Sequence, residues 1–216
     1  MKDIIFVLDR AHGKDVPGKS SKDGKFQEWK SSEAIIQKLI KGLDKLRIPY
    51  ENIVTGEIEP GLEERVIRAN EAVKGCKYPV FISLHHNGHD TISTARGSEI
   101  YVNRSATKES KAIANIVAKN LKKDFPEMPW RTEWPNRLER EANFTVIAGT
   151  KKVKPSYHGV LLEFGFMTNE KDLELLRTPA VIKRYVDSLL YSITEICTHF
   201  KVGDFKPEVN IKSKSK

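Results

Sequence analysis

The chain has 216 residues, 39% hydrophobic and 31% charged, and its Lys plus Arg exceed Asp plus Glu by 37 to 29, a net charge of +8. That length is enough for one domain with a real core, and the balance excludes an intrinsically disordered chain. The positive excess favours polyanionic surroundings, for which nucleic acid, an anionic wall polymer and acidic lipid all qualify.

The opening "MKDIIFVLDR" has five apolar residues before Asp9 and Arg10 interrupt. It is too short for a signal-peptide core and far too short for a membrane span. The expectation is synthesis in the cytoplasm without a signal peptide, with any outside target reached after release or by another export route. Residues 4–8, "IIFVL", read as a strand buried on both faces. A polar loop with Gly13, Pro17, Gly18 and Gly24 follows, then a helix from about Glu28 to Leu46. Residues 62–74 read as a second helix, 79–84 as another buried strand and 97–103 as an alternating strand. Residues 106–123 carry Ile113, Ile116, Val117 and Leu121 at helical spacing. "FTVIAG" (144–149) and "HGVLLEFGF" (158–166) are strand candidates, and 179–199 closes as a helix. This alternation predicts an α/β domain with a largely parallel, twisted sheet flanked by helices on both faces. The domain would span residues 1–200, leaving 201–216, rich in Lys and Ser, as a basic mobile tail or linker stub. Cys76 and Cys197 lie far apart and read as buried free thiols.

In an open α/β sheet, chemistry collects beyond the carboxyl ends of the strands. Here the first strand ends in "LDRAHG", delivering His12; the strand 79–84 ends in "LHHNG", delivering His85 beside His86; the strand 159–163 ends on Glu163. At about 100° per residue, Glu28 shares a helix face with Ile35, Leu39, Leu43 and Leu46, whereas Glu33 falls about 140° away and should face water. Glu28 is therefore tucked inward near His12. Two imidazoles and a carboxylate leave a fourth tetrahedral position open, as catalytic zinc requires, and such donors suit zinc better than magnesium or calcium. Glu163, at the end of an apolar run, is then placed to hold and relay a proton.

These residues carry a resemblance. "VLDRAHG", Glu28, "LEERVIRAN", "ISLHHNG", "ARGSEIYV" and "VLLEFGFMTN", in this order over about residues 4–197, resemble the zinc-dependent N-acetylmuramoyl-L-alanine amidases of the third amidase family. Those are cell-wall hydrolases found as bacterial autolysins and phage endolysins, with a phosphorylase/hydrolase-like fold. The resemblance implies that His12, Glu28 and His85 bind one zinc ion and that Glu163 is the catalytic acid/base. The reaction it implies is hydrolysis of the amide between N-acetylmuramic acid and the stem-peptide L-alanine of peptidoglycan. The family's Ser-Ile-His-x-Asn pattern falls on Ser83-Leu84-His85-His86-Asn87, which selects His85 as ligand and makes His86 an outward or supporting residue. His89, His158 and His199 have no motif support. Arg65 and Asn70 match family positions on a helix and take structural parts, Arg65 beside acidic neighbours; Asn169 caps the next helix.

Two departures stand out. Arg10 and Ala11 replace a proline and a glycine of the family's pattern before His12, and no wall-binding module is recognisable. For substrate contacts, Asn87 and the segment 124–144 are the candidates. Trp130 or Trp134 would pack on sugar or peptide and Arg131 or Arg137 would meet a stem-peptide carboxylate; alternatively the tryptophans anchor a proline-rich loop to the body. Partners are peptidoglycan and anionic cell-wall polymers, with no specific nucleic acid, since no recognition motif accompanies the charge. The rival functions are a metallocarboxypeptidase-like hydrolase and a non-catalytic peptidoglycan-binding module.

Overall fold

In the computed structural model of the protein, residues 2–89, 94–203 and 205 are described, so most of the expected tail at 201–216 lies outside them. Six strands form one sheet: β1 (Ile4–Arg10), β2 (Tyr50–Asn52), β3 (Tyr78–Asn87), β4 (Glu99–Val102), β5 (Glu139–Glu141) and β6 (His158–Phe166). Their spatial order is β2-β1-β3-β6-β4-β5, parallel throughout except for the antiparallel β4–β6 pair. The helices are α1 (Glu28–Leu46), α2 (Leu62–Ala72), α3 (Lys108–Asp124), α4 (Thr145–Ala148), α5 (Glu170–Arg177) and α6 (Pro179–His199).

Period-two alternation of the central strands divides the core. Ile4, Phe6 and Leu8 of β1, Val80, Ile82 and Leu84 of β3, and Val160, Leu162 and Phe164 of β6 enter one apolar cluster, which α1, α3 and α6 cover. Ile5, Val7, Phe81 and Leu161 point the other way into a smaller cluster, closed by Ala69 and Val73 with Val146, Ile147 and Tyr157. Both faces of the sheet are thus dry, which is why the strands read as continuous apolar runs.

The stretch 144–149 is not a strand. It forms one helical turn, with Gly149 N–H donating to the Thr145 carbonyl at 2.7 Å and Ala148 N–H to that of Phe144 at 2.8 Å. Consecutive Val146 and Ile147 are both buried, which a strand's alternation would not allow against a single face. Ile147 seats over Gly159, where a Cβ would come within 3.1 Å of its Cγ2. The short strands β2 and β5, three residues each, carry no readable sequence pattern. Both cysteines are free; Cys197 is buried but Cys76 only half-buried.

Candidate functional site

The carboxyl ends of β1, β3 and β6 meet at one edge of the sheet. Parallel register sets His85 beside Glu163, and the antiparallel β4 sets Glu99 on the other side of Glu163. His12 follows β1 on a turn with φ 42°, a left-handed conformation uncommon for a non-glycine residue. Glu28 opens α1 and continues its buried stripe of Ser32, Ile35, Ile36, Leu39 and Leu43. Its side chain is 2% exposed. Its Oε2 lies 3.6 Å from His12 Nε2 and its Oε1 3.1 Å from His85 Nδ1. The His86 N–H donates to that Oε1 at 3.1 Å, fixing the carboxylate's rotation.

Donor atoms of His12, Glu28 and His85 all lie within 4.8 Å of one another. Two imidazole nitrogens and a carboxylate oxygen brought this close, with room for a fourth ligand, fit a catalytic zinc ion. Glu163 Oε2 faces the same space, buried and with no hydrogen-bond partner among the described residues. A polar atom left so is costly unless something else occupies the site in the working state.

Electrostatics follow from burial. His12 is held neutral, its pKa lowered to about 4 by desolvation despite the nearby Glu28. Burial works to raise the Glu28 carboxyl, but the His85 hydrogen bond and the two imidazoles outweigh it and keep the group below its ordinary value. Burial likewise opposes charging of His85, and its bond to Glu28 overcomes that. Glu163 is pushed up to about 8, chiefly by burial, against the pull of His85 and with Glu28 and Glu99 adding repulsion.

The structure also accounts for the adjacent histidine. His86 is buried rather than outward, and its two ring nitrogens contact Ser31 Oγ at 2.9 Å and the Phe164 carbonyl at 2.7 Å. Its ring therefore ties α1 to β6 behind the site. Burial lowers its pKa. His158 lies against Thr107 Oγ1 and stacks on Phe200, at the opposite end of β6.

Arg10 and Ala11, which stand where the resembled pattern has a proline and a glycine, are both buried before His12. Arg10 is fully buried; its guanidinium donates to the carbonyls of His12 and Gly56 and pairs with Glu33 at 3.0 Å. Glu33, expected to face water, is consequently half-buried, with its carboxylate turned to Arg10. Arg65, 2% exposed, donates to Asp9 at 2.5 Å, to the Arg10 carbonyl at 2.6 Å and to Glu59 at 2.9 Å. The other Asp9 oxygen accepts from Ser83 Oγ at 2.6 Å, locking β1 to β3. Asn70 pins the loop before β6, its Nδ2 donating to the Lys154 carbonyl and its Oδ1 accepting from Ser156 N–H at 2.8 Å. Asn169 caps α5 by accepting from Lys171 and Asp172 N–H.

A cavity of about 550 Å³ opens over these donors. Its lining takes in His12, Glu28, His85, Asn87 and Glu163. One rim is the 17–20 stretch with Lys22 and the other comprises Gly88, His89, Met167 and Thr168. None of Trp130, Arg131, Trp134 and Arg137 lines it. Trp130 Nε1 donates to the Leu138 carbonyl at 2.9 Å, folding the segment onto itself. Arg131 and Arg140 both bind the buried Glu99, which also accepts from Asn87 Nδ2. Arg137 pairs with Glu139 and Glu141 and lies over the Trp134 ring. Sequence reasoning passed over the 17–22 rim because nothing in "PGKSSK" has a periodic or motif signature; only its position between His12 and Glu28 points to it.

Comparisons with known proteins agree with this fold. A crystal structure of an N-acetylmuramoyl-L-alanine amidase from Clostridium difficile 630 superposes with a TM-score of 0.76 at 22% identity, covering 91% of this chain and 97% of that one. The catalytic domain of the amidase CwlV from Bacillus (Paenibacillus) polymyxa var. colistinus gives 0.73 at 26% identity, covering 94% and 100%. An amidase of Nostoc punctiforme gives 0.74 at 20% identity, covering 91% and 98%. No curated protein sequence matches significantly. The family model described as N-acetylmuramoyl-L-alanine amidase matches residues 6–195, and the chain belongs to that family.

Proposed function

We propose that the chain hydrolyses the amide between the lactyl group of N-acetylmuramic acid and L-alanine of the peptidoglycan stem peptide, as a zinc-dependent enzyme. Family membership supports the reaction; the observation that carries the mechanism is the meeting of His12, Glu28 and His85 within 4.8 Å beside the unpartnered Glu163 oxygen. His12, Glu28 and His85 would hold the ion. When bound, zinc supplies Lewis acidity toward the scissile carbonyl and lowers the pKa of a water to about 7.

The chain's own groups do the rest. Glu163 takes the proton of the attacking water at its carboxylate and delivers it to the departing L-alanine nitrogen. A carboxyl pushed up to about 8 by burial is matched to holding a proton near neutral pH. His86 N–H keeps the Glu28 oxygens turned toward the two imidazoles. Asn87, anchored by Glu99, presents its side chain at the cleft wall, where it can orient the substrate amide. Arg131 and Arg137 are committed to Glu99, Glu139 and Glu141, which supports a scaffolding part for the 124–144 segment. The site of action is the cell wall, and among the described residues no helix is long and apolar enough to cross a membrane.

The test is mass spectrometry of purified peptidoglycan after incubation, with and without chelator, alongside metal analysis of the purified protein. Free stem peptides beginning with L-alanine, lost on chelation and restored by zinc, are expected. Release of single carboxy-terminal amino acids would instead identify a carboxypeptidase.

A further inference from the structure

We infer that Lys19, with Lys22 beside it, forms a carboxylate-reading wall of the cleft, selecting substrates whose peptide carries a free carboxylate close to the scissile amide. The inference rests on the amidase reading above and names what the same cleft selects. Both lysines line the cavity that holds His12, Glu28, His85 and Glu163. Among the described residues, neither has a hydrogen-bond or ion-pair partner for its ammonium, although most of the charged groups around the sheet edge are paired. Lys19 is half-buried rather than extended into water.

The wall is also built, not draped. The Lys19 carbonyl accepts from the Glu28 N–H at 3.0 Å, so the residue before the rim turn is bonded to the backbone of a metal-binding position. An antiparallel bridge joins Ser20 to Gln27, and Ser21 and Phe26 exchange bonds across the same hairpin, Ser21 N–H donating to the Phe26 carbonyl at 2.9 Å and Phe26 N–H to Ser21 Oγ at 3.0 Å. At its tip Asp23 pairs with Arg177 at 2.7 Å, fastening the hairpin to α5. The Lys19 backbone is therefore fixed relative to Glu28, and only its flexible side chain adapts. Among the described residues, the acids lining the cavity are Glu28 and Glu163, both committed to the proposed chemistry. An unpaired ammonium in a partly desolvated wall binds an anion more strongly than one in open water. On a muropeptide the anions within such reach are peptide carboxylates, and amidation of one removes the charge while keeping its shape.

The test uses two N-acetylmuramoyl-tripeptides, L-alanyl-γ-D-glutamyl-L-lysine with the glutamyl α-carboxyl either free or amidated. Binding is measured by calorimetry on zinc-loaded protein carrying Glu163→Gln, and cleavage on the wild-type enzyme. The free-carboxylate tripeptide is expected to bind about tenfold tighter, as one charge-assisted contact provides. Lys19→Met in the same background abolishes that ratio, Lys19→Arg retains it, and Lys22→Met reduces it by less. Equal affinity for the two tripeptides, or a ratio that survives Lys19→Met, overturns the inference. A binding preference that depends on Lys19 without release of peptide by the wild-type enzyme would overturn the amidase reading while the lysine contact stands.

Discussion

Replacing Arg65 by Met should be among the most damaging single changes in the protein, although its side chain bonds to none of His12, Glu28, His85 and Glu163. Its guanidinium, 2% exposed, bonds Asp9 at 2.5 Å and the Arg10 carbonyl at 2.6 Å, and Asp9 is fully buried. Methionine fills most of the volume but leaves the Asp9 carboxylate with Ser83 alone, an uncompensated buried charge that costs about 3–5 kcal/mol. With a urea m value of about 3 kcal/mol/M, the unfolding midpoint should fall by about 1–2 M. Asp9→Asn removes the charge at its source, so the double variant Asp9→Asn/Arg65→Met should be less destabilised than the sum of the singles by about 2 kcal/mol. Urea denaturation of the four proteins in chelator measures this directly. A loss below about 1 kcal/mol for Arg65→Met, or strict additivity in the cycle, would refute the argument that Asp9 depends on Arg65.

Glu163→Gln should lower the rate on peptidoglycan by about 10²–10⁴-fold while zinc content is unchanged, because in the proposed mechanism the group moves a proton and is not a ligand; loss of zinc with activity would reassign it. In chelator-treated protein the native state holds a proton on Glu163 up to a pKa of about 8, against an ordinary value of 4.5. The folded form therefore binds more protons than the unfolded one between these values, and stability should fall as pH rises through that window. His12 acts oppositely, its pKa lowered from 6.5 to about 4, so its contribution is lost as pH drops from 6.5 toward 4. Denaturation curves between pH 6.5 and 8 should slope downward for the wild type and less for Glu163→Gln; identical slopes would contradict the assignment. Trp130→Phe deletes the bond to the Leu138 carbonyl and should cost about 1 kcal/mol of stability with KM on peptidoglycan unchanged. A raised KM at unchanged stability would return Trp130 to the substrate.

What could be read in advance depended on whether a residue's position is set by periodicity. The inward turn of Glu28 followed from its phase with Ile35, Leu39 and Leu43, and the pairing of His85 with Glu163 followed from two parallel strands ending together. Residues governed by long-range charge were opaque. Helical phase alone put Glu33 in water, because nothing local announces that Arg10 will be buried beneath it. His86 was ambiguous for the same reason: its role depends on Ser31 and the Phe164 carbonyl, from two other elements. Trp130 and Arg131 drew attention by composition, but their partners are Leu138 of the same segment and Glu99 of β4, away from the cleft lining. The one-turn helix at 145–148 mimicked a strand because four apolar or β-branched residues carry no period that separates the two.

The site is held in two different ways. His85, Glu163 and Glu99 are fixed by sheet register, where backbone ladders leave little freedom. His12 sits on a left-handed turn that no ladder reaches, and Glu28 begins a helix whose N-cap, Gln27, makes no side-chain capping bond. For these two the backbone is held from outside: Arg10 binds the His12 carbonyl, Arg65 the Arg10 carbonyl, and Lys19 accepts from the Glu28 N–H. Where a proline would stiffen the turn through its own fixed φ, this chain stiffens it with buried cations. That solution has a consequence a proline would not have. Arg10 and Arg65 are themselves held by Glu33 of α1, by Asp9 of β1 and by Glu59 before α2, so the position of His12 depends on charged partners from three separate stretches of the chain.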